Sequence, residues 1–374
     1  MSSQPDRRTR LPDPRRQPRY AGLCTFGRYP RLEDVQPDAS PVDWAVFGVP
    51  FDAGVTYRPG TRFAPRAIRD ASQYLKHYHI EHDTDVPGVL SLADAGDAPV
   101  QPYDCETNSR DVLAFARTLA DPAHTRLLAL GGDHSIAYPC MKAAWERRGK
   151  PANGLALIHF DAHLDTVDAV LGERYSHASP FIRAIEDGII DPKRMLTVGI
   201  RGPLNTRTDL DYAKQHGVTV LTCDQWRNDG QRVIDEFVRA LADDEAYLSF
   251  DIDCVDPAYA PGTGTPSLGG FTSAEIFRIL RSLRGVHLVG GHVGERATQR
   301  RVPAGADVAV VGVAVGHVET ARHELRTRRY ETGDVVARGV GHRASTSACA
   351  VRPVSAQLSG VRWRMRASVP CGGT

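Results

Sequence analysis

The sequence predicts a single α/β domain in which helices cover both faces of a mainly parallel β-sheet, giving three αβα layers. From about residue 41, apolar runs of four to eight residues recur along the chain, and segments with helical periodicity separate them. Near-continuous apolar strands are typical of parallel sheets that are buried on both faces. The chain offers at least six such strand–helix repetitions, which favours a three-layer architecture.

The predicted elements alternate in chain order. The predicted strands are 43–50, 125–133, 154–163, 194–202, 217–223, 245–253 and 285–293. The predicted helices are 64–78, 107–119, 137–148, 179–186, 210–216, 231–242 and 273–283. Outside this pattern, residues 1–40 are rich in Pro and Arg and are predicted to form an N-terminal arm. We expect the main domain to span residues 41–296, and residues 297–374 to be a divergent, poorly ordered C-terminal segment.

Charge is distributed unevenly along the chain. The formal net charge of the 374 residues is +1, yet residues 1–31 hold eight Arg and two Asp, and residues 335–374 hold six Arg and no acid. The intervening residues 32–334 hold 32 basic and 43 acidic side chains. An acidic body favours a small cationic substrate or a bound metal over nucleic acid, because nucleic acid needs a positive face on the folded domain.

The composition excludes further classes of protein. A hydrophobic fraction of 41% and a charged fraction of 24% are typical of globular rather than disordered chains. No run of about 18 apolar residues is present, so no membrane span is expected, and the first 20 residues lack the apolar core of a signal peptide. The seven Cys residues are scattered without Cys-x-x-Cys spacing, which indicates reduced thiols and a cytoplasmic location.

Side chains that can bind metal follow three of the predicted strands, in the segments LLALGGDHS, GLALIHFDAHLD and AYLSFDID. They are His134, Asp161, His163, Asp165, Asp251 and Asp253. Alternate residues of an extended chain point the same way, and ligands of open α/β sheets bind at the carboxyl ends of the strands. Any one of these motifs alone could be a surface cluster, a turn or a helix cap. Their joint occurrence predicts a single crevice that collects all six.

Four carboxylates in one crevice would repel one another strongly unless cations were bound. Oxygen-rich donors with a minority of imidazoles suit Mn²⁺, with Fe²⁺, Ni²⁺, Co²⁺ or Zn²⁺ as alternatives. The absence of Cys from the set argues against a structural zinc site. Six donors are more than one octahedral ion takes while keeping a position open for reaction, so we predict two ions roughly 3.5 Å apart.

Three segments carry a family resemblance: GGDHS (131–135), DAHLD (161–165) and SFDIDCVDPAYAPGTGTP (249–266). Together they resemble the signatures of the ureohydrolases, which include arginase, agmatinase, guanidinobutyrase and proclavaminate amidinohydrolase. The similarity runs from residue 17 to about Glu295, and VPFDAGVTYRPGTRFAPRAIRDAS (49–72) is similar to the agmatinase branch. The resemblance implies a single three-layer αβα domain, with residues 41–296 as the catalytic domain, and a homo-oligomer of three or six subunits.

The resemblance also implies roles for individual residues, beginning with two Mn²⁺ ions per subunit. The implied donors are His134 and Asp165 for one ion, His163 and Asp253 for the other, and Asp161 and Asp251 as bridges. A hydroxide between the ions would attack the central carbon of a guanidinium group. Asp165 would relay a proton to the leaving amine, with His177 as a second proton shuttle. Glu295 and His177 would bind the substrate.

The predicted reaction is the hydrolysis of agmatine to urea and putrescine, a step of polyamine metabolism. Guanidinobutyrase, guanidinopropionase and proclavaminate-type activities are the alternatives within the same class. Each of these substrates is a small guanidino compound with a cationic head group. A further hypothesis is a deacetylase of related fold, but such an enzyme would use one zinc and a different ligand pattern.

Several positions depart from the family pattern. Ala178 follows His177 where Gly is usual, His292 stands where Asp is usual, and Gly294 where an apolar residue is usual. Residues 292–374 hold 13 Arg, no Lys and six acids, a composition that resembles a shifted reading frame or a divergent tail. The altered segment after residue 290 is the support for an alternative of another class, a metal-binding homologue without catalysis.

Overall fold

A computed structural model describes residues 9, 11–13, 15–35, 41–80 and 83–295 of the chain. Its strands are β1 (Trp44–Gly48), β2 (Tyr78–His79), β3 (Thr84–Asp85), β4 (Leu92–Asp97), β5 (Arg126–Leu130), β6 (Leu155–Phe160), β7 (Ile190–Ile200), β8 (Thr219–Thr222), β9 (Glu245–Asp251) and β10 (His287–Gly294). Its helices are α1 (Ala64–Ser72), α2 (Val86–Val89), α3 (Cys105–Thr118), α4 (Ala137–Arg147), α5 (Pro180–Glu186), α6 (Arg207–Gln215), α7 (Cys223–Gln225), α8 (Gln231–Leu241) and α9 (Ser273–Ser282).

Eight of the strands form one sheet in the order β4-β1-β5-β10-β9-β6-β7-β8. All seven pairings in this sheet are parallel. The remaining strands, β2 and β3, form a small antiparallel pair. The predicted fold class is therefore confirmed, because a mainly parallel sheet lies at the centre of the described chain.

The sheet separates two apolar cores. Val46 and Leu128 face one core, to which helices α1, α8 and α9 contribute, whereas Phe47 and Ala129 face the other, beside α3, α4 and α5. Successive strand residues thus alternate between two buried faces, as parallel strands covered on both sides do. This accounts for the near-continuous apolar runs in the sequence.

Every predicted strand and helix has an observed counterpart that differs only at its ends, whereas strands β2, β3 and β4 and the short helices α2 and α7 have no predicted counterpart. Helix α1 ends at Ser72 rather than at residue 78, since Tyr78 pairs with Asp85 in the small hairpin. Helix α6 begins at Arg207 rather than at residue 210 because Thr206 and Asp209 form a capping box. Strand β4 was not predicted. It is an edge strand whose sequence LADAGD lacks an apolar run.

Part of the predicted N-terminal arm packs on the domain. Phe26 and Tyr29 are buried, and the backbone N–H of Phe26 donates to Asp94 Oδ2 at 2.7 Å. The predicted C-terminal segment, 297–374, lies outside the described residues, and the proposed division of the chain at 40 and 296 stays a prediction. None of the helices in the described ranges has the length and apolarity needed to cross a bilayer.

Candidate metal centre

Four adjacent strands in the middle of the sheet, β5, β10, β9 and β6, deliver the predicted site residues to one edge. His134 opens a short 3-10 turn after β5, Asp161 directly follows β6, Asp251 is the last residue of β9, and Glu295 directly follows β10. The carboxyl ends of parallel strands share an edge of the sheet, so side chains far apart in sequence meet there.

The first group of donors surrounds the ring of His134. Its Nδ1 lies 2.6 Å from Asp165 Oδ2, 3.1 Å from Asp161 Oδ2 and 3.6 Å from Asp251 Oδ2. Donor atoms at right angles around an ion with bonds of about 2.1 Å are about 3 Å apart. These separations therefore suit neighbouring ligands of one divalent cation.

The second group surrounds His163 and shares a carboxylate with the first. His163 Nδ1 lies 3.0 Å from Asp253 Oδ2 and 3.3 Å from Asp161 Oδ1. Asp161 therefore presents Oδ2 to the first group and Oδ1 to the second, which is the arrangement of a bridging ligand. The His163 side chain is 40% exposed, while those of the other five predicted donors are at most 8% exposed, so the site opens on the His163 side.

His159 is a site residue that the sequence reasoning missed. Its Nε2 lies 2.9 Å from Asp161 Oδ2, and its donor atoms group with those of His134 and Asp161 within 4.8 Å. The signal was present in the sequence, because His159, Asp161 and His163 alternate along IHFDAH. The run as a whole predicts an apolar strand, and a histidine inside such a strand is ordinarily part of the core.

The electrostatics of the cluster favour bound positive charge. Burial, with Asp253 and Asp161 nearby, raises the pKa of Asp251 well above its usual value. Burial and Asp161 raise the pKa of Asp253 to about 6. Burial opposes a charge on His134, but hydrogen bonds to Asp161 and Asp165 raise its pKa to about 10. Carboxylates crowded in this way favour positive charge among them, and the donor set fits divalent cations.

Glu295 and His177 lie together beside this cluster. Glu295 is 1% exposed, and its Oε1 accepts from His177 Nδ1 at 2.8 Å and from the backbone N–H of His134 at 3.1 Å. Its Oε2 is buried without a hydrogen-bond partner among the described residues. Glu295 is therefore a buried group of the site and not an ordinary exposed acid.

His177 and Glu295 form an ion pair. Burial opposes the charge on His177, but Glu295 outweighs it and raises the pKa of His177 to about 9. Burial likewise opposes the charge on Glu295, and His177 holds the pKa of that carboxyl below its usual value. Thr56 Oγ1 lies 2.9 Å from His177 Nε2 and fixes the other side of the ring. Sequence reasoning gave no role to Thr56.

Known proteins resemble this chain in sequence and in fold. The sequence profile of the arginase family matches residues 42–315. The chain is 38% identical over 300 residues to guanidinopropionase from Pseudomonas aeruginosa, an alignment that covers 80% of this chain and 91% of that protein. The chain belongs to the arginase family.

Further members of the arginase family cover most of this chain. Agmatinase from Neisseria meningitidis is 40% identical over 267 residues, covering 70% of this chain and 81% of the relative. The solved structure of proclavaminate amidinohydrolase from Streptomyces clavuligerus superposes with a TM-score of 0.74 at 34% identity, covering 82% of this chain and all of that one. As an arginase-family amidinohydrolase, the protein acts on C–N bonds of linear amidines.

Proposed function

We propose that this arginase-family protein holds two Mn²⁺ ions per subunit and hydrolyses a linear guanidino compound to urea and a primary amine. Agmatine, giving putrescine, is the proposed substrate. Guanidinobutanoate, guanidinopropionate and a proclavaminate-type guanidino compound are the alternatives. The observation that carries the proposal is the position of Asp161 between two donor groups. Glu295, which contacts the His134 backbone, adds a buried carboxylate oxygen that has no partner in the described part of the chain.

The residues for the ions are those of the two donor groups. His134 and Asp165 would hold one ion, His163 and Asp253 the other, and Asp161 and Asp251 would bridge them. Two such cations, when bound, bring the pKa of water toward neutrality and hold a nucleophile in line with the substrate carbon. Backbone contacts orient the acids: the N–H of Ala162 donates to Asp253 Oδ1 at 2.9 Å, and that of Asp253 donates to Asp251 Oδ1 at 2.8 Å.

Glu295 would bind the guanidinium head. His177 and the backbone of His134 occupy its Oε1, whereas its Oε2 is free to accept an N–H of the substrate. A buried, ionised carboxylate without a second partner is costly unless a cation reaches it. A guanidinium supplies both the charge and the planar donors that such an oxygen accepts.

Asp165 and His177 would handle protons. Hydrolysis adds water across the C–N bond: the oxygen joins the guanidinium carbon, that C–N bond breaks, and the oxygen becomes the carbonyl oxygen of urea. Both protons of the water end on the leaving nitrogen, which departs as an ammonium group. Asp165 lies at the edge of the first donor group with Oδ2 pointing at His134, where it can accept one proton and deliver it to the amine. His177, charged and close to Glu295, is the second donor for the same nitrogen.

The test is urea release from a panel of agmatine, guanidinobutanoate, guanidinopropionate and arginine, measured on EDTA-treated protein before and after addition of Mn²⁺. We expect urea only after Mn²⁺ is added, with agmatine as the best substrate. Stoichiometric metal binding without urea from any of the four compounds would support the non-catalytic alternative instead. The predicted homo-oligomer and cytoplasmic location stay predictions.

A further inference from the structure

His292 lies in the middle of the sheet, on β10, and both of its ring nitrogens have partners. Its register partner on β9 is Ser249. Its Nε2 lies 3.1 Å from Ser249 Oγ, and its Nδ1 lies 3.2 Å from Tyr247 Oη. A Cβ at Gly290 would lie 3.0 Å from the Tyr247 ring, so the glycine leaves room for this ring against β10.

The same serine reaches a proposed metal ligand. Ser249 Oγ lies 2.8 Å from His134 Nε2, on the side of the ring opposite to Nδ1, which faces Asp161 and Asp165. Tyr247, His292, Ser249 and His134 thus form a continuous hydrogen-bonded chain, which we call the Tyr247–His134 chain. All four side chains are buried, so water does not compete for these contacts.

The positions of the donor hydrogens give the Tyr247–His134 chain a direction. For His134 Nδ1 to offer a lone pair to a metal, the ring hydrogen must sit on Nε2, where Ser249 Oγ accepts it. The hydroxyl hydrogen of Ser249 then needs its own acceptor, and His292 Nε2 is in place. His292 carries its hydrogen on Nδ1 and donates it to Tyr247 Oη.

The side chain at position 292 determines the charge next to Ser249, on the side of His134 that faces away from the proposed ion. A carboxylate behind a metal-bound imidazole makes the imidazole a stronger ligand. His292 contacts two hydroxyl groups, and no carboxylate bonds to either of its nitrogens among the described residues. It therefore supplies an acceptor for the Ser249 hydroxyl without adding a negative charge to a site that already holds four carboxylates.

We propose that His292 is a positioning residue for His134: acting through Ser249, it fixes the tautomer and orientation of the His134 ring and sets the affinity for the ion on that side. The inference rests on the metal binding of the proposed function. It adds a role for a residue outside the six proposed ligands, at a position where the sequence departs from the family pattern.

The experiment compares four variants of the full-length protein. His292→Leu removes the acceptor, and His292→Gln restores a neutral acceptor beside Ser249. The matched control is His216→Leu. The ring of His216 stacks on Tyr212 at the end of α6 and bonds to no residue of the Tyr247–His134 chain. Equilibrium titration with Mn²⁺ gives the two dissociation constants, and His134→Gln identifies the constant that belongs to the His134 side. The d–d absorption of Co²⁺-loaded protein reports the ligand field.

We expect His292→Leu to weaken the His134-side ion about 10- to 100-fold, as loss of such an orienting partner typically does. The other constant should stay within about threefold on the same grounds, since His163 does not bond to Ser249 or His292. The Co²⁺ spectrum should change, and His292→Gln should restore both readouts. Unchanged constants and spectrum in a folded His292→Leu protein would overturn the proposal. So would equal weakening of both ions without rescue by Gln.

A second variant covers a failure of His292→Leu to fold. Ser249→Ala breaks the Tyr247–His134 chain of hydrogen bonds at the residue next to His134. We expect the same selective loss of the His134-side ion. If Ser249→Ala binds both ions as the unaltered protein does, the proposal is wrong. The proposed function fails by a different result, namely the absence of urea release from the unaltered, Mn²⁺-loaded protein, whatever the variants do to metal affinity.

Discussion

The two halves of the site are built differently. The proposed metal-binding half holds four carboxylates in contact with imidazoles at the ends of β5, β6 and β9. The proposed substrate-binding half holds one carboxylate, Glu295, which His177 and the His134 backbone fix from other parts of the chain. In the first half, each motif brings several donors at once through alternation along an extended segment. In the second, one residue gains its role only from what the fold places around it.

The largest effect should come from the shared ligand, Asp161. Asp161→Asn keeps the shape but removes the charge that both donor groups use, so metal binding and urea release should be lost together, with activity falling by about 1,000-fold or more. Metal content by mass spectrometry and urea release check this. Asp224→Asn is the matched control, because the side chain of Asp224 is 94% exposed. Retained activity in Asp161→Asn would contradict the bridging assignment.

The corresponding acid-to-amide substitution in the substrate-binding half should affect activity without affecting metal binding. Glu295→Gln should leave metal content unchanged while kcat/KM falls about 10- to 100-fold, because a charge-assisted hydrogen bond to the substrate is replaced by a neutral one. The exposed Glu236, paired with Arg232 on the surface of α8, provides the control Glu236→Gln. If Glu295→Gln instead released the metals, the division into two halves would be wrong.

The sequence predicts the metal-binding half better than the substrate-binding half, because local motifs form the first and contacts between distant segments form the second. Asp161, His163 and Asp165 are predicted because their spacing is local and the strand that precedes them is apolar. Glu295 could be proposed only from a family resemblance, since its partner His177, and Thr56 on the far side of the His177 ring, come from distant loops and leave no local pattern. His159 was missed because a histidine in an apolar strand looks like core. The fold class was predictable from the alternation of strands and helices, whereas the edge strand β4 was not.

A smaller effect concerns pH and the His177–Glu295 pair in metal-free protein. The pKa of His177 is raised from 6.5 to about 9, so its contribution to stability is fully present below pH 6.5 and is lost as pH rises through about 9. Glu295→Gln should therefore lower stability by about 2 kcal/mol near pH 6, and the difference from the unaltered protein should shrink by pH 10. Thermal unfolding across this range checks it. A difference that grows with pH would contradict the ion pair.

The smallest effect should come from Thr56. Thr56→Val removes the hydroxyl beside His177 Nε2. We expect kcat to fall about threefold to tenfold, because His177 loses one hydrogen bond and water replaces that bond only in part. Metal content should not change. Thr56→Ser keeps the hydroxyl and should keep the rate. Equal rates for Val and Ser would show that the hydroxyl does not position the ring.

The most direct test of the account is the number of manganese ions that must bind before urea appears. EDTA-treated protein is titrated with Mn²⁺, and bound metal and urea release are measured on the same samples. We predict that two ions bind per chain and that urea release with agmatine or another guanidino compound of the panel follows occupancy of the second. Full activity with one ion bound, or two bound ions with no urea from any compound, would contradict it.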